Sequence, residues 1–197
     1  SGDLDADNDR VKAAYADRSP QGANRAQQGA WCWRELPVPV IAAVQGHALG
    51  GGLNLALGAD LRVVAPGAVL GFVEITWGLM PDMSATQSLR RLVGLERAKQ
   101  LVLTGRRFSG ADAVAWGLAT ELADDPTERA FEIAGEIAGL YPAAVRAAKA
   151  VLNATADADT AAGFLLAAGR SRELIATPDQ IEAVVARLEG RAPRFEG

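Results

Sequence analysis

At 197 residues, 49% of them hydrophobic and 22% charged, the chain has the balance of a globular protein that can bury a core. One domain with a small appendage is the default at this length. A net charge of −4 and a pI near 5.1 leave no basic footprint for nucleic acid. One cysteine, Cys32, excludes an internal disulfide framework, and one histidine, His47, argues against a structural zinc site. No apolar run reaches the roughly 18 residues that would span a bilayer. With no signal-peptide pattern either, the expected compartment is the cytoplasm.

Residues 3–18 are charged and poor in large apolar groups, the mark of a solvated, mobile segment. Ser19-Pro-Gln-Gly22 then reads as a loop. Residues 24–36 carry Ala26, Ala30, Trp31 and Trp33 at loosely helical spacing, with the two tryptophans read as core or subunit contacts. Pro37 and Pro39 mark the start of a strand-length apolar run from Val40, which passes through Gly50-Gly51-Gly52 into a short buried helix. A helix N-terminus reached through glycines exposes backbone N–H groups and lets a ligand approach them, which suits a negatively charged oxygen. Close packing alone would also explain such a turn. The run has neither the P-loop pattern nor the Gly-x-Gly-x-x-Gly spacing of dinucleotide folds.

Asp60-Leu-Arg-Val-Val-Ala65 and Val69-Leu-Gly-Phe-Val-Glu-Ile75 read as two further strands, turned by Pro66-Gly67. Glu74 lies inside apolar sequence, where an unpaired charge is costly, so it is either salt-bridged or tuned for proton transfer. After the loop Trp77-Gly-Leu-Met-Pro-Asp82, Ser84 and Gln87 form a capping-box pattern for a helix, and residues 95–103 form another, stopped by Gly105. Ser109 and Asp112 cap a third helix that Gly117 ends, and Thr127 opens a fourth. Pro142 sits in the first turn of the next, a long helix covers residues 164–175, and Thr177-Pro-Asp-Gln180 caps the last, with Gly190 after it. The chain thus divides into an α/β part over residues 1–120 and an all-helical part over residues 121–197, whose broad apolar stripes exceed what one core needs.

Pro39-Val-Ile-Ala-Ala-Val-Gln-Gly-His-Ala-Leu-Gly-Gly-Gly52, Ala59-Asp-Leu-Arg62, Glu74, Gly78-Leu-Met-Pro81, Thr86-Gln87, Leu103-Thr-Gly105 and Arg191-Ala-Pro-Arg-Phe195 fall in order along most of the chain. In this combination the sequence resembles the enoyl-CoA hydratase/isomerase (crotonase) superfamily. The resemblance implies a ββα-spiral core followed by a C-terminal helical oligomerisation region, in trimers or dimers of trimers. It implies an acyl-CoA thioester substrate, with coenzyme A part of that substrate and no separate cofactor, metal, nucleic acid or membrane partner. In this family two backbone N–H groups hold the thioester oxygen while an enolate forms. By match Gly51 supplies one of them, and Gly50, Ala48 and Val73 are the further substrate-binding candidates. The family carries additional strands before the position matching Ser1, so the chain is expected to be truncated or partly unobserved. Ser1-Gly-Asp-Leu4 resembles the first oxyanion segment but is one residue short, and the second N–H donor is left unassigned.

Hydratases of the family hold water between two glutamates. By match these positions are Glu74 and Asn54, and an asparagine can hydrogen-bond a water or a thioester group but cannot take a proton. A single carboxylate suits a 1,3 proton shuttle better than hydration. Asp82, eight residues past Glu74, matches an aspartate of the dienoyl-CoA isomerase branch, though that branch has an acidic residue where this chain has Asn54. Asp82 reads equally as a turn residue. The expected catalytic set is therefore Glu74, Asp82 and Asn54. The expected reaction is double-bond isomerisation, with 2-enoyl-CoA hydration and a non-catalytic acyl-CoA-binding trimeric scaffold as alternatives. His47 reads as packing or pocket wall and Cys32 lacks an activating partner. Arg146 and Lys149 read as solvated, with contact to CoA phosphates left open.

Overall fold

The computed structural model describes residues 18–19, 22–156 and 158–196. The sequence readings on residues 1–17 lie outside the described residues, including the match of Ser1-Gly-Asp-Leu4. The chain forms two compact units, Ser1–Leu36 with Val40–Ala130, and Pro37–Pro39 with Phe131–Gly197.

In the first unit, Ser19 and Gly22 close the expected loop, with the Gly22 N–H donating to the Ser19 carbonyl at 2.8 Å. Helix α1 (Arg25–Glu35) begins at Asn24, whose side chain accepts from the Gln27 N–H while Gln27 accepts from the Asn24 N–H. The apolar run from Val40 is two strands rather than one. It breaks at Gly46, where φ is +66°, so that β1 (Ile41–Val44) and β2 (His47–Leu49) join different sheets. After α2 (Gly51–Ala56), strands β3 (Leu61–Val64) and β4 (Val69–Gly71) repeat the same step alongside.

Ile41 pairs with Leu61 and Val44 with Val64 in one sheet, and His47 pairs with Val69 and Leu49 with Gly71 in the other, all parallel. Between the sheets the pairing slips by two residues. The Pro66-Gly67 turn absorbs them, closed by the Ala68 N–H on the Ala65 carbonyl at 3.0 Å. The sheets are completed as β1-β3-β6 and β2-β4-β5, with β5 antiparallel to β4.

The strand expected over residues 69–75 stops at Gly71, and Val73–Trp77, which carries Glu74, is a 3₁₀ helix. Gly71 is the last residue with a partner on β5, and Phe72, fully buried, turns the chain. A short apolar run does not by its period distinguish a strand from a helical turn.

Helix α3 (Ala85–Thr104) is two helices joined at Gly94, whose φ of +75° and ψ of 162° are non-helical, in agreement with the two expected. The Ser84 capping box is not formed: Ser84 has φ 170°, and its hydroxyl donates to the Asn54 carbonyl at 3.1 Å. Strand β5 (Arg107–Ser109) leads into α4 (Gly110–Ala115) through the expected Ser109–Asp112 box, and β6 (Glu121–Leu122) follows. Helix α5 (Pro126–Ala138) begins in this unit and is capped by Asp125 rather than Thr127. The Asp125 carboxylate accepts the N–H groups of Thr127 and Glu128, both at 3.0 Å. Leu53, Leu57, Val64, Leu70, Phe72, Leu89, Leu101 and Phe108 form the core between sheets and helices.

The second unit is helical, as expected: the rest of α5, α6 (Pro142–Thr155), α7 (Thr160–Leu174) and α8 (Pro178–Glu189). Pro142 opens α6, Asp159 caps α7, and Thr177 caps α8, which ends at Gly190 in the left-handed region. Lys149 departs from expectation. It is buried, and its ammonium donates to the Val38 carbonyl at 2.8 Å, while Arg146 is exposed. Among the described residues no helix is long and apolar enough to cross a membrane.

Candidate active site

Three local features bring Gly50, Asn54 and Glu74 together. Gly50 ends β2 and precedes α2, with φ +52° and ψ −119°, and its N–H donates to the Gly71 carbonyl at 2.8 Å. That hydrogen bond ties the glycine turn to the end of β4, just before the chain curls into the helix bearing Glu74. A Cβ on Gly50 would lie 3.4 Å from Glu74 Oε1 and 3.5 Å from its Cδ. The glycine thus allows both an unusual backbone conformation and the close seat of the carboxylate. No side chain caps α2, so its first-turn N–H groups, Gly51 and Gly52 among them, have no intrahelical acceptor. Met83 Sδ lies 3.4 Å from where a Gly51 Cβ would stand.

Asn54 is fully buried, one turn along α2. Its Nδ2 donates to Glu74 Oε1 and to the Gly50 carbonyl, each at 3.0 Å, and its Oδ1 accepts the Ala85 N–H at 3.0 Å. Asn54 therefore caps α3 from another helix, the role that sequence assigned to Ser84. The reverse amide orientation would set oxygen against two acceptors and nitrogen against an N–H, so the partners dictate the one observed. The second carboxylate oxygen, Glu74 Oε2, is shielded from solvent and accepts no hydrogen bond among the described residues.

The remaining predicted site residues fall around this pair. Ala48 is buried in β2, where it pairs with Leu70, and Val73 opens the 3₁₀ helix half-buried. Asp82 is half-buried in the turn before α3, with no hydrogen bond joining it to Glu74 or Asn54. His47 is exposed on β2 and lines a groove of about 530 Å³ with Trp33, Gln45 and Leu55. Cys32 is half-buried, its thiol 3.4 Å from the Gly29 carbonyl. Among the described residues no three His, Cys, Asp or Glu side chains cluster as metal ligands.

Sequence reasoning missed two residues that shape the site. Ala85 supplies the N–H that orients Asn54, a contact across 31 positions with no local signature. Gly105, seen only as a helix stop, lies against the Glu74 helix. A Cβ there would stand 2.8 Å from Ile75 Cγ2 and 3.0 Å from Thr76 Cγ2.

Comparison with known proteins agrees with this architecture. Residues 9–197 match the family model described as enoyl-CoA hydratase/isomerase. The chain is 43% identical over 168 residues to the bovine mitochondrial enoyl-CoA hydratase domain-containing protein 2, covering 82% of this chain and 57% of that protein. It is 37% identical over 168 residues to mouse mitochondrial methylglutaconyl-CoA hydratase, covering 82% of this chain and 54% of that protein. A crystal structure of enoyl-CoA hydratase from Bacillus anthracis superposes with a TM-score of 0.84 at 38% identity, over 87% of this chain and 67% of that one. The chain belongs to the enoyl-CoA hydratase/isomerase family. It spans little more than half the length of the curated relatives it matches.

Proposed function

We propose that the protein carrying this chain acts on acyl-CoA thioesters by stabilising an enolate, and that its reaction is double-bond isomerisation. The Gly51 N–H is the oxyanion donor this chain contributes, and a donor of this kind is worth on the order of 3 kcal/mol in the transition state. Glu74 is the acid/base. It takes a proton from C2 of a 3-enoyl thioester, the electrons pass into the enolate, and return of a proton to C4 gives the 2-enoyl product. Atoms and electrons balance without a co-reactant. Asp82 is the second carboxylate available to a longer conjugated substrate.

The observation carrying this reading is the Asn54–Glu74 hydrogen bond. The position that would hold a second glutamate in a hydratase holds a group unable to exchange protons. Hydration of a 2-enoyl-CoA is the alternative, favoured by the hydratase names of the relatives. Self-association is part of the proposal, because Phe131, Phe164, Leu165 and Leu188 are largely exposed in the helical region. Parallel assays of 3-enoyl-CoA isomerisation and 2-enoyl-CoA hydration on the intact protein test the reading, with Glu74→Gln as the decisive variant. Isomerisation well above hydration, abolished by Glu74→Gln, is expected. Dominant hydration would replace isomerisation with the alternative, and unchanged turnover in Glu74→Gln would remove Glu74 from the mechanism.

A further inference from the structure

We infer that Asn54 is a positioning residue, which commits Glu74 Oε1 to a fixed hydrogen bond and leaves Oε2 as the oxygen that carries the proton. The inference rests on the reading of Glu74 as acid/base. Asn54 is fully buried and both of its N–H groups are used within the protein, so it has no donor left for substrate or water. Its orientation is enforced at the far end by the Ala85 N–H, the first of α3, and by the Ser84 hydroxyl on its own backbone carbonyl. The start of α3 thus holds the amide, the amide holds Oε1, and Gly50 presses on the same carboxylate from the backbone side. Of the two Glu74 oxygens only Oε2 lacks a partner within the protein. A preorganised base with one engaged oxygen delivers its proton from a defined place, which a shuttle between two carbons of one substrate requires.

The same geometry makes position 54 a determinant of how Glu74 ionises. An aspartate there keeps one oxygen for the Ala85 N–H, and aspartate is a favoured cap. Its other oxygen would face Glu74 Oε1 in place of the amide N–H, and two carboxylates at that distance share one proton.

The test is Asn54→Asp in the intact protein, read by the pH profile of kcat/KM for isomerisation and by Tm. The expected result is a folded protein whose alkaline-rising limb moves up by about one pH unit or more, with about ten-fold or greater loss of rate at pH 7. A structural role limited to capping α3 predicts a profile that coincides with the parent, and that result would overturn the inference. The double variant Asn54→Asp/Glu74→Gln keeps the hydrogen bond with donor and acceptor exchanged. It is expected to recover the Tm lost by Asn54→Asp, and it carries the test alone should the single variant not fold. Failure of the exchange to restore stability would show that the two side chains are not coupled. Because Tm is read without turnover, this arm stands even if Glu74→Gln alone keeps its activity and the acid/base reading falls.

Discussion

Gly105 stands where any side chain would collide with Ile75, the neighbour of Glu74. A Cβ at position 105 would be 2.8 Å from Ile75 Cγ2, and the residue has φ +58° at the end of α3. A left-handed, close-packed corner therefore supports the short helix that carries the candidate base.

The Gly105→Ala variant meets two costs, about 1–2 kcal/mol for the left-handed conformation and about 1–3 kcal/mol for overpacking against Ile75 and Thr76. Gly190, at φ +68° after α8 with nothing within 4 Å of its would-be Cβ, separates them. Gly190→Ala meets only the first cost and leaves turnover intact. The measurements are denaturant midpoints and kcat for both variants. Gly105→Ala is expected to lose more stability than Gly190→Ala and to lose activity as well. Equal losses would mean that the Ile75 contact does not constrain the Glu74 helix.

Much of this arrangement was legible in the sequence because it is local. The glycine turn, the Ser109–Asp112 box, Pro142, Thr177 and Gly190 each act within a few residues of themselves, and each is found where its chemistry puts it. Asn54 and Glu74 were marked as a pair only through family resemblance, and the structure joins them by a hydrogen bond. What was not legible is long-range. Ser84 gave its capping role to Asn54, 30 positions earlier, and Lys149 found its acceptor on Val38, 111 positions away. The 3₁₀ helix at Glu74 escaped notice because its residues alternate like a strand, and only the end of the β5 partner shows where pairing stops.

Arg62 is the structural counterpart of the site on β3. Buried, it donates from Nε to the Leu118 carbonyl and from Nη1 to the Ala59 carbonyl, both at 2.7 Å, and its N–H reaches Thr120 Oγ1. Burial lowers its pKa to about 10, with the Asp60 charge acting in the opposite direction, so it remains a cation at neutral pH. Arg62→Met removes the buried charge but leaves two buried carbonyls unpaired, at about 1–3 kcal/mol each. The expected net loss is about 2–4 kcal/mol in denaturant unfolding, with Arg62→Lys intermediate because one ammonium cannot reproduce the planar fork. A stability equal to the parent in Arg62→Met would show that water or backbone adjustment satisfies both carbonyls.

The Ser109–Asp112 box at the start of α4 offers a smaller effect with a clear sign. The Ser109 N–H and hydroxyl donate to the Asp112 carboxylate at 2.9 and 2.7 Å and hold its pKa below the ordinary aspartate value. Ser109→Ala removes the hydroxyl that accepts from the Asp112 N–H, and is expected to cost about 1 kcal/mol. Asp112, titrated by NMR, is expected to move up towards its ordinary value in that variant. An unmoved midpoint would show that the backbone N–H of Ser109 alone holds the carboxylate.

The C-terminal tail is fastened by Glu182 on α8. Arg191 donates to both of its carboxylate oxygens, at 2.5 and 2.9 Å, and the Arg194 N–H donates to Oε1 at 2.8 Å. These donors, the Arg191 guanidinium first, hold the Glu182 pKa near 2, below its ordinary 4.5. A carboxylate with a depressed folded-state pKa contributes its full stabilisation above the unfolded value and loses it as pH falls through the folded one. The window here runs from about 4.5 down to about 2. The Arg194 amide resonance should therefore keep its native shift at pH 4 and change with a midpoint near 2, and Glu182→Ala should abolish that titration. A midpoint near 4.5 in the parent would mean that Arg191 and Arg194 do not hold this carboxylate in solution, and that the tail is anchored instead by the Glu196 N–H on Asp179.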